Sequence, residues 1–184
     1  MSHPAARRAV LALIGASFLF GATFVVIKSA LEDIEPMAFV AWRFLIGGLV
    51  LLAVAFPKGR RIWVDGAITG VALFVGYALQ TSGLALTSAS NSGLITGLYV
   101  VLTPVLAALF HRRVPSPWLI GAAAAAFAGI FLLTDTDGLT LTQGDLLTLG
   151  CAVAFAFHIL ALARYAPRHP IVPYTAIQLT VTGL

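Results

Sequence analysis

The amino-acid sequence predicts an all-α polytopic membrane protein, and three observations support this fold class. Seven apolar segments follow one another along the 184 residues. Hydrophobic residues make up 60% of the chain and charged residues 10%, with a mean hydropathy of +0.99. A soluble domain would carry about a quarter charged residues. The charges also sort by side of a membrane if the segments alternate in direction.

Six of the segments are long enough to cross a hydrocarbon core about 30 Å thick, because an α-helix rises about 1.5 Å per residue. The seventh, Ile171–Leu184, would reach only about 21 Å as a helix. It ends without a charge or a polar cap, so we expect the chain to be a fragment of a longer protein. The six long segments are Ala9–Leu31, Pro36–Phe56, Ile62–Leu86, Asn91–Phe110, Pro117–Thr134 and Leu146–Ala163.

Small residues and one proline predict how these helices pack. Two GxxxG spacings, Gly66–Gly70 and Gly93–Gly97, are typical of faces where membrane helices approach closely. Pro104 removes one backbone hydrogen bond from the fourth segment, so a kink is predicted there.

The charged residues of the loops segregate by sign. One side would carry the basic residues Arg7, Arg8, Lys58, Arg60, Arg61, Arg112, Arg113, Arg164 and Arg168. The other would carry the acidic residues Glu32, Asp33, Glu35, Asp135, Asp137 and Asp145. Because short loops rich in Lys and Arg stay in the cytoplasm, the N-terminus is predicted to lie inside. The basic residues are spread along the inner leaflet, so the lipid bilayer is an expected partner and nucleic acid is not.

The acidic residues and the single cysteine exclude several kinds of chemistry. Each carboxylate is assigned to a helix end or a loop, so proton coupling through a buried carboxylate is not expected. The turn at Asp135–Gly138 lacks the remaining ligands of a calcium loop, and neither a metal nor a cofactor is expected. Cys151 is the only cysteine, so there is no disulfide framework.

Arg43 is the strongest candidate for a substrate-binding residue. It lies about 10 Å below the outer surface, where an arginine costs about 2.5–3.5 kcal/mol unless it faces protein or water. It would attract an anionic or zwitterionic solute, or it is a structural arginine that extends outward to the membrane surface or bonds helix-end carbonyls, with Glu35 as a further partner. Gln80, Asn91 and Ser92 would line an outward vestibule with Arg43. The alternative for Asn91 is an N-cap, and for Ser92 a hydrogen bond between helices.

Four further residues would add polarity deeper in the membrane. Thr23, Thr96 and Tyr99 lie near the midplane, and His158 is the only imidazole within a spanning segment. His158 would carry protons near a cavity, or it is a hydrogen-bonded packing residue. No residue is assigned a catalytic role. The predicted substrate-binding set is Thr23, Arg43, Gln80, Asn91, Ser92, Thr96, Tyr99 and His158.

The sixth segment is similar to the first at an offset of 135 residues, with Gly15 matching Gly150 and Phe20 matching Phe155. Five segments separate equivalent points, so the second copy would enter the membrane from the opposite side. An inverted repeat of this kind is common in secondary transporters, whose substrate site lies at the midplane between the copies.

The runs FLFGATFVVIKSAL, EPMAFVAWRFLIGGLVLL, LTSASNSGLITGLYVVLTPVLAALF and WLIGAAAAAFAGIFLLT together resemble the drug/metabolite transporter superfamily in its EamA-domain branch. The run GDLLTLGCAVAFAFHILALARY is similar to the opening of that family's second domain. The resemblance implies a cytoplasmic tail at 1–8, a complete five-helix repeat at 9–136, and at 137–184 the beginning of an inverted second repeat. Family members often have Trp where this chain has Phe20 and Phe155.

The resemblance implies transport of a small organic solute, a metabolite or an amino-acid-like compound, by alternating access across the bacterial inner membrane. Export is the expected direction, and a homodimer is a further expectation. A non-transporting membrane protein is the alternative. An intramembrane hydrolase built on Ser92 and His158 is disfavoured, because the two residues lie at opposite depths. The protein is therefore predicted not to be an enzyme.

Overall fold

The computed structural model describes residues 4–112, 114–133 and 141–184, and the described elements are all helical. They are α1 (Pro4–Ala30), α2 (Pro36–Val54), α3 (Arg60–Leu86), α4 (Ala89–Gly97), α5 (Tyr99–Phe110), α6 (Pro117–Leu133), α7 (Gln143–Tyr165), a 3₁₀ turn (Ala166–Arg168) and α8 (Ile171–Gly183). Arg113, Asp135 and Asp137, together with the predicted boundary between repeats at 136, lie outside the described residues.

Within the described ranges, five helical stretches are long and apolar enough to cross a membrane. The α6 helix has 17 residues, and Thr134, the predicted last residue of its segment, lies outside the described residues. The predicted all-α polytopic class is confirmed. The five stretches are Val10–Ala30, Pro36–Val54, Arg60–Leu86, Ala89–Phe110 and Gln143–Arg168.

The fourth predicted segment is interrupted at Leu98, which separates α4 from α5. The Leu98 amide donates to the Ile95 carbonyl at 3.1 Å, and the Val101 amide donates to the Leu98 carbonyl at 2.9 Å. These i→i−3 bonds tighten the backbone into a 3₁₀-like turn. The interruption therefore precedes Pro104, which lies inside α5.

The α7 helix packs most extensively against α3, and also against α4 and α5. A Cβ at Gly83 would lie 2.7 Å from the Gly144 carbonyl oxygen, so only glycine permits this approach of α3 to the start of α7. The start of α7 is fixed by a capping box, in which Thr142 and Asp145 each bond the other's backbone amide. This α3–α7 pair is the framework of the fold.

The α8 helix packs against α2 and α3. Gly66 and Gly70 face it, because a Cβ at Gly66 would lie 2.9 Å from Ile177 and one at Gly70 would lie 2.8 Å from Val181. The close packing predicted for the first GxxxG spacing is therefore confirmed. The prediction for Gly93–Gly97 is wrong for the described residues. The nearest atom to a Cβ at Gly93 is 3.8 Å away, and a Cβ at Gly97 would have no neighbour within 4 Å.

Candidate functional site

A cavity of about 170 Å³ lies where α1, α3, α5 and α7 meet, and we call it the central cavity. It is mostly apolar, and its polar groups are two phenols and one imidazole. Because α3 and α7 form the most extensive helix interface, two of its walls lie on the firmest part of the fold. Its lining residues are Phe20, Leu73, Tyr77, Tyr99, Phe155, His158 and Ile159.

Three aromatic rings define the shape of the central cavity. The Phe155 ring meets the Tyr77 ring edge-on, with centroids 5.1 Å apart, and lies 6.2 Å from the Tyr99 ring. Phe155 can reach this position because α3 has Gly76 beneath it, where a Cβ would collide with the ring. Phe20, across the cavity on α1, is the residue matched to Phe155 by the 135-residue offset.

Arg43 lies beside this aromatic group. Its guanidinium carbon is 5.4 Å from the centroid of the Phe44 ring and 5.5 Å from that of Tyr77. Such stacking stabilises an arginine by about 0.5–2 kcal/mol, depending on solvent exposure. The predicted alternative of a pair with Glu35 is wrong. Glu35 caps α2 instead, accepting hydrogen bonds from the Met37 and Ala38 amides at 3.1 and 2.9 Å.

Of the four residues predicted to line an outward vestibule, Gln80 and Ser92 are buried between helices, whereas Asn91 is half-buried and Arg43 is exposed. Gln80 donates to the Thr96 hydroxyl at 3.4 Å, and the Ser92 hydroxyl is 3.5 Å from that of Thr148. The side chains of Gln80, Ser92 and Thr96 are almost fully buried. They join α3 and α4 to α7, which is the interhelical role given above as the alternative for Ser92.

Asn91 does not cap α4 as expected. The N-cap is Ser88, whose hydroxyl accepts a hydrogen bond from the Asn91 amide at 3.1 Å. The chain enters α4 three residues earlier than the polar pattern at Asn91 indicates, because the hydroxyl of Ser88 can also bond the first turn. Asn91 is therefore inside the helix, at a half-buried position.

Thr23 and His158 have separate roles. The Thr23 hydroxyl donates to the Phe20 carbonyl at 2.6 Å, within its own helix. The Nδ1–H of His158 donates to the Thr69 carbonyl at 3.0 Å, and the ring lines the central cavity. Ser92 bonds towards Thr148 and His158 towards Thr69, so the contacts of these two residues give no support to a hydrolytic pair.

Two residues near these elements were not predicted from the sequence. Asp65 lies within α3 and its side chain is only 9% exposed, so the assignment of every carboxylate to a helix end or loop is wrong. Its Oδ2 is 2.7 Å from Nε2 of His169. The other missed residue is Tyr77. A four-residue spacing in the sequence could have indicated both missed residues. It places four residues along one face of α3, namely Asp65, Thr69, Leu73 and Tyr77.

A larger groove of about 670 Å³ lies near the beginning of α3 and the ends of α5 and α7. It is lined largely by apolar side chains that face outward, including Phe110, which is 64% exposed, and Phe157, which is 42% exposed. Such a surface suits lipid chains. The central cavity, with its convergent phenol and imidazole groups, is the stronger candidate for a solute site.

The sequence was compared with known protein families and structures. Residues 7–135 match the model of the EamA-like transporter family. An uncharacterized transporter of Archaeoglobus fulgidus is 38% identical over 150 residues, which are 82% of this chain and 47% of that protein. The uncharacterized transporter YvbV of Bacillus subtilis is 28% identical over 184 residues, 95% of this chain and 60% of that protein. The chain spans about half the length of the curated relatives it matches.

A solved crystal structure of a protein resembles the fold with a TM-score of 0.55 and 23% sequence identity, over 91% of this chain and 64% of that one. This likeness supports the fold alone. The family match covers most of the chain and agrees with the polytopic helical architecture and with the resemblance read from the sequence. The chain is a multi-pass membrane protein that belongs to the EamA-like transporter family, a family of transporters and not of enzymes.

Proposed function

We propose that the protein transports a small organic solute, a metabolite or an amino-acid-like compound, by alternating access, and that the solute binds in the central cavity. The observation that carries the proposal is the cavity itself, an aromatic pocket between α1, α3, α5 and α7 in a chain of a transporter family. Its volume of about 170 Å³ is below the roughly 300–1,000 Å³ of pockets that hold drug-sized ligands. The size therefore favours a small metabolite.

The chemistry of the walls suggests how such a solute would be held. The rings of Phe20, Tyr77 and Phe155 would cover its apolar part, and His158 offers a polar contact. Arg43, stacked on the outside of Tyr77, is the cation nearest to this group among the contacts described above. A guanidinium binds a carboxylate through paired hydrogen bonds, which is the reason for preferring a carboxylate-bearing solute.

Orientation, direction and assembly are further parts of the proposal. The basic side chains of Arg7, Lys58, Arg60 and Arg61 are exposed at the ends of α1 and α3 where the positive-inside rule places the cytoplasm. We propose a cytoplasmic N-terminus and a place in the bacterial inner membrane. Outward transport remains a prediction from the resemblance to the family, and a homodimer remains a separate prediction.

Filling the central cavity should stop transport. The complete protein would be reconstituted in liposomes preloaded with unlabelled amino acids, and entry of a ¹⁴C-labelled amino-acid mixture by exchange would be measured. Leu73→Trp adds an indole inside the cavity, so we expect exchange to fall to the level of protein-free liposomes. Val71→Trp is the matched control, because Val71 lies on the same helix and is 54% exposed on its outer surface.

Wild-type exchange at the background level would contradict the proposed function and favour the non-transporting alternative. Equal exchange by the Leu73→Trp variant and wild type would contradict the location of the site. Both variants must elute as a single species in detergent, so that a loss of exchange is not a loss of folding.

A further inference from the structure

Asp65 and His169 form a buried pair at the inner end of the fold. Nε2 of His169 is 2.7 Å from Oδ2 of Asp65, and the two side chains are 8% and 9% exposed. An ionised carboxylate can accept hydrogen bonds but cannot donate them. With Asp65 ionised, Nε2 of His169 therefore carries the hydrogen and donates it to Asp65. The nitrogen that can gain or lose a proton is then Nδ1, and a proton there makes an imidazolium that the Asp65 carboxylate stabilises.

This pair is linked to the central cavity by a continuous set of contacts. The Tyr174 ring stacks on the His169 ring, with centroids 5.4 Å apart and 23° between the planes. The Tyr174 hydroxyl donates to the Thr69 hydroxyl at 3.0 Å, and the Thr69 carbonyl accepts from His158, which lines the cavity. These contacts connect the turn before α8 with α8, α3 and α7. A movement of the His169 ring would therefore displace side chains that contact the cavity wall.

The charged and titratable groups around the pair come from each helix packed against it. Arg61, on α3, has its Nε 3.9 Å from Oδ2 of Asp65, but its side chain is 75% exposed and largely hydrated. His158 on α7 and Tyr174 on α8 lie further along the same contacts. Tyr165, at the end of α7, faces Tyr174, and Arg168 stacks on Tyr165. Among these groups, His169 is the one in direct, buried contact with the carboxylate.

The other buried carboxylate of the described chain has a different environment. Asp145 accepts hydrogen bonds from the Thr87 hydroxyl at 2.7 Å and from the hydroxyl and amide of Thr142 at 2.8 and 3.0 Å. These donors are neutral, and they hold Asp145 in the capping box whose N-cap is Thr142. Asp65 instead has a titratable partner, which is what a site that takes up and releases a proton requires.

We propose that Asp65 and His169 are the proton-binding site that couples transport to a proton gradient. This proposal rests on the proposed transport function. A proton taken up at Nδ1 converts the hydrogen bond between a neutral imidazole and the carboxylate into an ion pair between an imidazolium and the carboxylate, which holds the turn before α8 more strongly against α3. Loss of that proton weakens the contact and frees the inner end of the helices beneath the central cavity. The proton comes from water and forms the Nδ1–H bond, and it returns to water when that bond breaks, with no change of oxidation state.

The test separates exchange, which needs no gradient, from accumulation driven by a pH difference. Liposomes containing the complete protein would be given the ¹⁴C-labelled amino-acid mixture, with and without a pH difference of either sign. Wild type should accumulate label when one sign of the gradient is imposed. Asp65→Asn and His169→Gln should exchange label but show the same accumulation with and without the gradient. Asp33→Asn removes an exposed carboxylate on the opposite side and should behave as wild type.

Each outcome distinguishes the two proposals. If wild type exchanges label but the gradient has no effect, the proton site is overturned and the transport function stands. If wild type does not exchange label, both are overturned. If exchange and gradient-driven accumulation fall together in both variants, the pair is only structural. A pH dye trapped in the liposomes would also record protons that move with net solute flux through the wild-type protein, when the solute is placed on one side only. The absence of such proton movement, in a preparation that exchanges label, would also overturn the proposal.

Discussion

Gly70→Leu should prevent the protein from folding to a stable state. A Cβ at this position would lie 2.8 Å from Cβ of Val181 and 3.0 Å from the Gln178 carbonyl oxygen, and the remaining atoms of leucine would extend further into α8. The α8 backbone cannot move away without losing its packing on α2 and α3. Overpacking in a core costs about 1–3 kcal/mol, and a clash with backbone belongs at or above the upper end of that range. We expect aggregation or a strongly lowered unfolding temperature in detergent.

Gly97→Leu is the matched control for this prediction. Both glycines end a motif of the form G-x-I-T-G, at residues 66–70 and 93–97, and both lie in apolar segments. A Cβ at Gly97 has nothing within 4 Å among the described residues, so the leucine should be accepted. Unfolding of the two variants would be compared by size-exclusion chromatography after heating. Equal stability of the Gly70→Leu variant and wild type would contradict the described α3–α8 packing.

Arg43→Ala should abolish transport while the protein remains folded. The guanidinium stacks on Tyr77, which lines the central cavity, and we propose that it attracts the solute carboxylate. A hydrogen bond to a charged group contributes about 1.5–3 kcal/mol, so its loss should lower exchange of the labelled amino-acid mixture by about tenfold or more. Arg43→Lys keeps the charge but loses the planar fork, and it should retain part of the activity.

Arg60→Ala serves as the control for Arg43. Arg60 is an exposed arginine at the beginning of α3, on the side predicted to face the cytoplasm, and its removal changes the net charge by the same amount. Exchange by this variant should match wild type. Normal exchange by a folded Arg43→Ala variant would contradict the proposed role, and the cation–π contact would then be structural.

The fold was largely predictable because the length of each apolar segment and the sign of the charges in each loop can be read directly from the sequence. The α2 helix begins at Pro36 as predicted, and α3 and α5 end at Leu86 and Phe110 as predicted. What the sequence could not show was which faces meet. The two GxxxG spacings are alike in sequence, but among the described residues only Gly66 and Gly70 are approached closely by a neighbouring helix, because α8 packs against α3 at that point.

The candidate site was less predictable, because contacts between distant residues decide it. Gln80 and Ser92 were predicted to face a vestibule and Thr96 to lie near the midplane, and all three are buried between helices. Tyr99 and His158 do line the central cavity, and Tyr77, which was missed, joins them. Asp65 was overlooked because in the sequence it is a single acidic residue beside a basic loop. Its importance depends on His169, 104 residues later, which no local pattern connects to it.

The most direct test of the account is whether the solute occupies the central cavity and whether the cavity opens to each side in turn. With the buried Cys151 replaced by alanine, Leu73→Cys would place one thiol on the cavity wall. A membrane-impermeant maleimide would be applied from either side of sealed vesicles, with and without the amino-acid mixture. We expect labelling from both sides, slowed by the solute. Labelling that the solute does not change, or that occurs from one side alone, would contradict this expectation.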